Sequence, residues 1–211
     1  MIVANDTYKP IVLLFIFNVL FSFHSRAQNF DDTENPWIIG LGVLIVHDSN
    51  TQLSKPFGFN DNYHFSNPFK FLVEKRFLND FGLEGSLNFN RYKKGKTRNG
   101  ILLDNPIDFL ATDLTFKYYI TNLLVNKYRS SFEGYVHVGL GSTFYDGDRG
   151  LNTNFGGGVT FYMSTHFRLF TQATGKKTLS PSPNRSNYLQ YDFGILYRIP
   201  NKHRYPCHSC D

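Results

Sequence analysis

The sequence predicts an all-β protein: one eight-stranded, antiparallel, up-and-down transmembrane β-barrel. Three observations predict it. Residues 188–199, YLQYDFGILYRI, alternate between an apolar and a mixed polar face, the mark of a strand with two environments. Seven further stretches between residues 37 and 174 alternate in the same way. The composition is aromatic-rich and charge-poor, with 22 Phe, 13 Tyr and 17 Gly but only 18% charged residues in a chain of 211. That balance suits a β-rich envelope protein better than a cytosolic domain. The mean hydropathy of −0.31 excludes a helical membrane protein. A barrel escapes such averages because only alternate residues face lipid.

The chain opens on a targeting signal. Residues 11–23, IVLLFIFNVLFSF, form an apolar core preceded by Lys9, too short to span a bilayer comfortably. Ser25 and Ala27 supply small residues at the −3 and −1 positions of a cleavage site before Gln28. Residues 1–27 are therefore expected to be a removed signal peptide. Their loss takes away Lys9, Arg26 and Asp6 and lowers the formal net charge from +5 to +4, too mild an excess to imply nucleic acid. Residues 28–36 read as a polar periplasmic leader, 37–199 as the barrel and 200–211 as a periplasmic tail. Cys207 and Cys210 in that tail stand in C-x-x-C spacing near His203 and His208, which invites a metal or redox reading. A tail of about a dozen residues offers no packed second shell, so no metal and no cofactor is expected.

The first strand runs from Trp37 to His47, with Trp37, Ile39, Leu41, Val43 and Ile45 outward and Gly40 and Gly42 toward a narrow lumen. A long polar loop, residues 48–66, follows. The second strand, 68–77, sets Phe69, Phe71 and Val73 against Lys70, Leu72, Glu74 and Arg76. After a short turn at Leu78-Asn79-Asp80, the third strand, 81–92, alternates most cleanly. A loop with Lys93, Lys94, Lys96 and Arg98 leads to the fourth strand, 108–120. The fifth, 131–145, and sixth, 151–163, flank a turn at Asp146-Gly-Asp-Arg-Gly150, which has strong hairpin chemistry. Gly156, Gly157 and Gly158 interrupt the sixth strand, implying bending or crowding by lumen side chains. The seventh strand is 167–174, and residues 175–187 read as a loop. Connections after the odd strands are mostly long and those after the even strands mostly shorter, the asymmetry of a membrane barrel with external loops and periplasmic turns. No amphipathic helix is expected.

Parity assigns an inward set: Lys70, Glu74, Arg76, Glu84, Asp113, Lys117, Glu133, His137, Arg168, Asp192 and Arg198. The interior of an eight-stranded barrel is just filled by side chains, and buried charges must pair or lose hydration at great cost. The set therefore reads as an interior salt-bridge network, with a gated ion path as the functional alternative.

Two resemblances add to this. Residues 192–199, DFGILYRI, resemble the C-terminal insertion signal of bacterial outer-membrane barrels, through Asp192, Gly194, Tyr197 and Ile199. Residues 35–43 (NPWIIGLGV), 74–84 (EKRFLNDFGLE), 113–119 and 134–141 resemble the N-terminal barrel of OmpA-family proteins from Bacteroidetes. The resemblance implies outer-membrane location, surrounding lipid and lipopolysaccharide, and the barrel-assembly machinery as a transient partner. An envelope protein partner is left open. It also implies a stand-alone barrel, since the peptidoglycan-binding domain that follows in typical members has no counterpart here. His64, Ser66 and Glu74 are similar in type to the trio of lipid A deacylases, but Glu74 has inward parity, so an enzyme is not expected. A non-enzymatic structural or surface-interaction barrel is the first reading, a narrow pore the second.

Overall fold

The computed structural model describes residues 35–47, 63–78, 80–98, 101–124, 130–145, 148–179 and 187–199. The segment expected to be a signal peptide, most of the expected leader, the stretch with Cys207 and Cys210, and much of the loop at 48–66 lie outside the described residues. In chain order the strands are β1 (Trp37–His47), β2 (Tyr63–His64), β3 (Phe69–Phe77), β4 (Phe81–Tyr92), β5 (Thr97–Arg98), β6 (Ile101–Leu102) and β7 (Ile107–Tyr118). A one-turn helix, α1 (Thr121–Leu124), then precedes β8 (Phe132–Tyr145), β9 (Asp148–Tyr162), β10 (Phe167–Thr178) and β11 (Tyr188–Arg198).

Eight of these strands form a closed antiparallel ring: β1, β3, β4, β7, β8, β9, β10 and β11. Closure comes from β1 pairing with β11 over Ile38↔Arg198 to His47↔Leu189. Each ring strand is then paired on both sides, which removes the open sheet edges that a bilayer does not tolerate. β2 adds to the loop end of β1 at Val46 and His47, and β5 and β6 form a separate small hairpin. Most ring strands have 11 to 15 residues and β3 has 9, enough to cross a bilayer at a tilt.

Alternation sorts the side chains as a barrel requires. Leu41, Val43, Leu83, Leu87, Leu114, Val136, Val138, Leu140, Phe155, Phe193 and Ile195 are exposed on the outer wall. At the turn end the band finishes in aromatic rings: Phe77 and Phe116 flank Phe81, Phe81 stacks on Tyr118 at 5.1 Å, and Phe167 packs on Tyr197 at 5.2 Å. Such girdles mark the levels where apolar wall meets polar surface.

The structure corrects several boundaries. β10 continues to Thr178, so residues 175–178 belong to the wall rather than to a loop. β9 begins at Asp148 and takes Arg149 and Gly150 into its ladder with β8. The three glycines do not interrupt β9, whose pairing runs unbroken through them on both sides. Their crowding is real: a Cβ on Gly158 would sit 2.5 Å from the Tyr135 hydroxyl, and one on Gly156 would strike the His137 ring and the Ala173 carbonyl. The loop asymmetry also has exceptions. The β8–β9 connection is among the shortest, and the β7–β8 connection at the opposite end is long enough to hold α1.

Candidate functional site

The lumen is the candidate site, and register builds it. β3 and β4 pair so that Glu74 lies directly opposite Glu84. Two carboxylates side by side would repel, but β4 also pairs with β7, which brings Lys117 beside them. Its ammonium sits 2.9 Å from Glu74 Oε2 and 2.5 Å from Glu84 Oε2. The Tyr119 hydroxyl donates to the other Glu74 oxygen. Lys70 reaches Glu84 at 3.8 Å and donates to Asp192 at 2.9 Å. Asp192 further accepts from Gln172 and Gln190. All five of these charged residues are no more than 2% exposed.

A second cluster lies toward the turns. Arg76 donates to both oxygens of Glu133, at 2.8 and 3.1 Å, the fork geometry that makes guanidinium–carboxylate pairs strong. Arg168 stands 3.7 Å from the same carboxylate. The Arg76 guanidinium lies 3.7 Å above the Tyr119 ring, which joins this cluster to Glu74 through the tyrosine. Arg198 is buried at the same end, its backbone N–H donating to the His166 carbonyl.

A third cluster centres on Asp113, which accepts from Asn88 at 2.7 Å, Asn154 at 2.8 Å and Lys176 at 2.6 Å. Gln190 donates to the Asn88 carbonyl oxygen and so connects it to Asp192. His137 lies in the lumen but meets the Thr174 hydroxyl at 3.1 Å rather than a carboxylate, so it belongs to the hydrogen-bonded filling and not to the ion pairs.

Sequence parity missed Lys176. It shares the inward parity of Arg168, Phe170, Gln172 and Thr174, a signal lost by ending the strand at Thr174. Also missed were the apolar stoppers. At the loop end Leu44, Val46, Tyr92, Phe109, Ala111, Tyr145 and Tyr188 pack together inside the ring, with Leu103 and Ile107 against them. Nearer the turns Ile38, Leu72, Phe170 and Leu196 form a smaller cluster. Tyr92, Phe109 and Tyr145 meet ring to ring at 5.4 to 5.9 Å. These residues share the inward parity of the charged set, but parity alone does not say that they converge.

The residues resembling an insertion signal also have places in the wall. Asp192 and Gly194 face inward, while Tyr197 and Ile199 face outward. A Cβ on Gly194 would press on the Leu41 carbonyl, Gly42 Cα and the Phe170 ring, so glycine here permits the close approach of β11 to β1. The His64, Ser66 and Glu74 trio does not assemble. His64 pairs with Val46 and Glu74 with Ile38 along the same strand, a separation of about 27 Å at strand rise. No group of three or more His, Cys, Asp or Glu side chains suited to a metal exists among the described residues.

No family model and no curated protein matches the chain. Solved structures do resemble its fold. The N-terminal β-barrel domain of Pseudomonas aeruginosa OprF matches with a TM-score of 0.52 at 12% identity, over 79% of this chain and 98% of that one. Neisserial surface protein A gives 0.53 at 9% identity, over 77% and 96%. The outer membrane protein OprG from Pseudomonas aeruginosa gives 0.51 at 16% identity, over 80% and 97%. The chain thus has the fold of the small eight-stranded barrels of the bacterial outer membrane.

Proposed function

We propose that this protein is an outer-membrane barrel with a closed lumen, non-enzymatic, whose role is structural or lies in the loops it presents. The observation that carries this reading is the filled interior. Ion pairs occupy the middle and turn end, and a plug of aromatic and aliphatic side chains stops the loop end. An apolar outer wall ending in aromatic rings supports placement in a bilayer. On this reading the wall meets outer-membrane lipid, and the exposed Lys93 and Lys94 meet lipopolysaccharide phosphates. The assembly machinery reads the pattern of Asp192, Gly194, Tyr197 and Ile199. The short segments resembling Bacteroidetes OmpA barrels support that subclass. A narrow pore is the second reading, favoured by the polar chain that runs from Arg76 to Lys176.

Surface presentation is tested with single cysteines in a background where Cys207 and Cys210 are serine. In intact cells a membrane-impermeant maleimide should label Lys94→Cys and should label Ser164→Cys only after lysis. The reverse pattern would overturn the orientation, and equal labelling would overturn membrane insertion. The lipid A mass spectrum should not change on expression; a changed mass would make the barrel an enzyme.

A further inference from the structure

One apolar patch lies beyond the wall. At the turn end Leu78 is 75% exposed, Leu123 70%, Leu124 85% and Ile120 38%. Their segments are held in place rather than dangling. Thr121, the first residue of α1, is buried and exchanges two hydrogen bonds with the Gly134 backbone. Asn122 donates to Asp80 at 2.8 Å, and the Tyr119 N–H donates to the Asp80 carbonyl. These bonds clamp α1 to the β3–β4 turn that carries Leu78.

Leu78 itself has φ +51°, a left-handed conformation that a branched side chain occupies at a cost and that Gly or Asn would adopt more readily. The Asn35 side chain holds it there by accepting the Leu78 N–H at 2.9 Å. A strained position filled by a large apolar residue points to a use for that side chain. The patch continues the aromatic girdle: Leu78 lies between Phe77 and Phe81 in sequence, and these rings stack at 6.0 Å. Ile120 follows Tyr118, which stacks on Phe81. Continuity with the apolar wall identifies the occupant as lipid.

We infer that α1 and the β3–β4 turn form a lipid anchor, seating Leu78, Ile120, Leu123 and Leu124 in the headgroup–acyl boundary of the leaflet at the turn end. The anchor rests on the membrane reading above. It fixes the depth of the barrel from a turn, where a short apolar helix face partitions into the interface without crossing it.

The test places one tryptophan at a time in a Trp37→Phe background. Leu124→Trp probes the anchor and Leu140→Trp the middle of the wall, both in the full barrel refolded into phosphatidylcholine vesicles. In lipid brominated near the carbonyl end of its acyl chains, the tryptophan at 124 should lose its emission, while aqueous iodide should leave it unchanged. Quenching by iodide and not by bromine at 124, with bromine quenching at 140 in mid-chain brominated lipid, would overturn the anchor and leave the membrane reading intact. Absence of bromine quenching at both positions would overturn the membrane reading as well. Protection from iodide in native outer membrane but not in vesicles would assign the patch to a protein and overturn the lipid assignment. Leu123→Trp repeats the test should the first variant not fold.

Discussion

Lys117 shows at the residue scale what holds the interior together. One ammonium separates two carboxylates that the sheet register places face to face. Removing it leaves Glu74 and Glu84 buried with their mutual repulsion restored. Lys117→Met should lower stability by about 3–5 kcal/mol, the usual cost of breaking a buried pair, read as an earlier thermal loss of the compact gel form. Adding Glu74→Gln should recover part of that loss, because the two residues share one network. An additive double variant would show that they do not interact. Asp113→Ala should cost a similar amount, about 3–5 kcal/mol, because it strips the Lys176 ammonium of its buried carboxylate partner. A neutral Asp113→Ala would contradict the packing described here. Inward parity placed Lys117 and Asp113 in the lumen from the sequence alone. It could not say that Asp113 pairs with Lys176 on a strand 63 residues away, because contact across the lumen depends on shear between strands that are not neighbours.

Among the elements, β9 and β11 are shaped by what their neighbours carry. Gly156 and Gly158 leave room for the His137 and Tyr135 side chains of β8. Gly158→Ala should therefore destabilise by about 1–3 kcal/mol, the range for overpacking. Gly85→Ala is the control: its Cβ would point into open space on the outer wall, and alanine is favoured over glycine within a strand by roughly 0.5–1 kcal/mol. Equal effects in urea unfolding would refute the crowding argument. The sequence announced the glycine run and offered crowding by lumen side chains as one reason for it. The interruption it also expected does not occur, because pairing on both sides carries β9 through the glycines. β11 holds two ladders, to β10 and to β1. Deleting 188–199 would open both edges and should abolish assembly in the outer membrane, whereas deleting 200–211 should leave it intact. Lost assembly on the second deletion would place the insertion signal outside β11.

For the whole molecule, the fold was largely legible because a barrel wall needs only period-2 alternation and turn chemistry, both local properties. The filling of the lumen was half legible. Charges on inward faces stood out, while Tyr92, Phe109 and Tyr145 looked like any inward aromatic until closure of the ring brought them together. That plug matters most for function, since an eight-stranded ring leaves little space once its side chains are in place. The most direct test is the conductance of the purified barrel in a planar bilayer. A closed lumen predicts no steady current, with Tyr92→Ala/Phe109→Ala/Tyr145→Ala raising leakage at the loop end. Stable, long-lived openings of porin size in the unaltered protein would contradict the account.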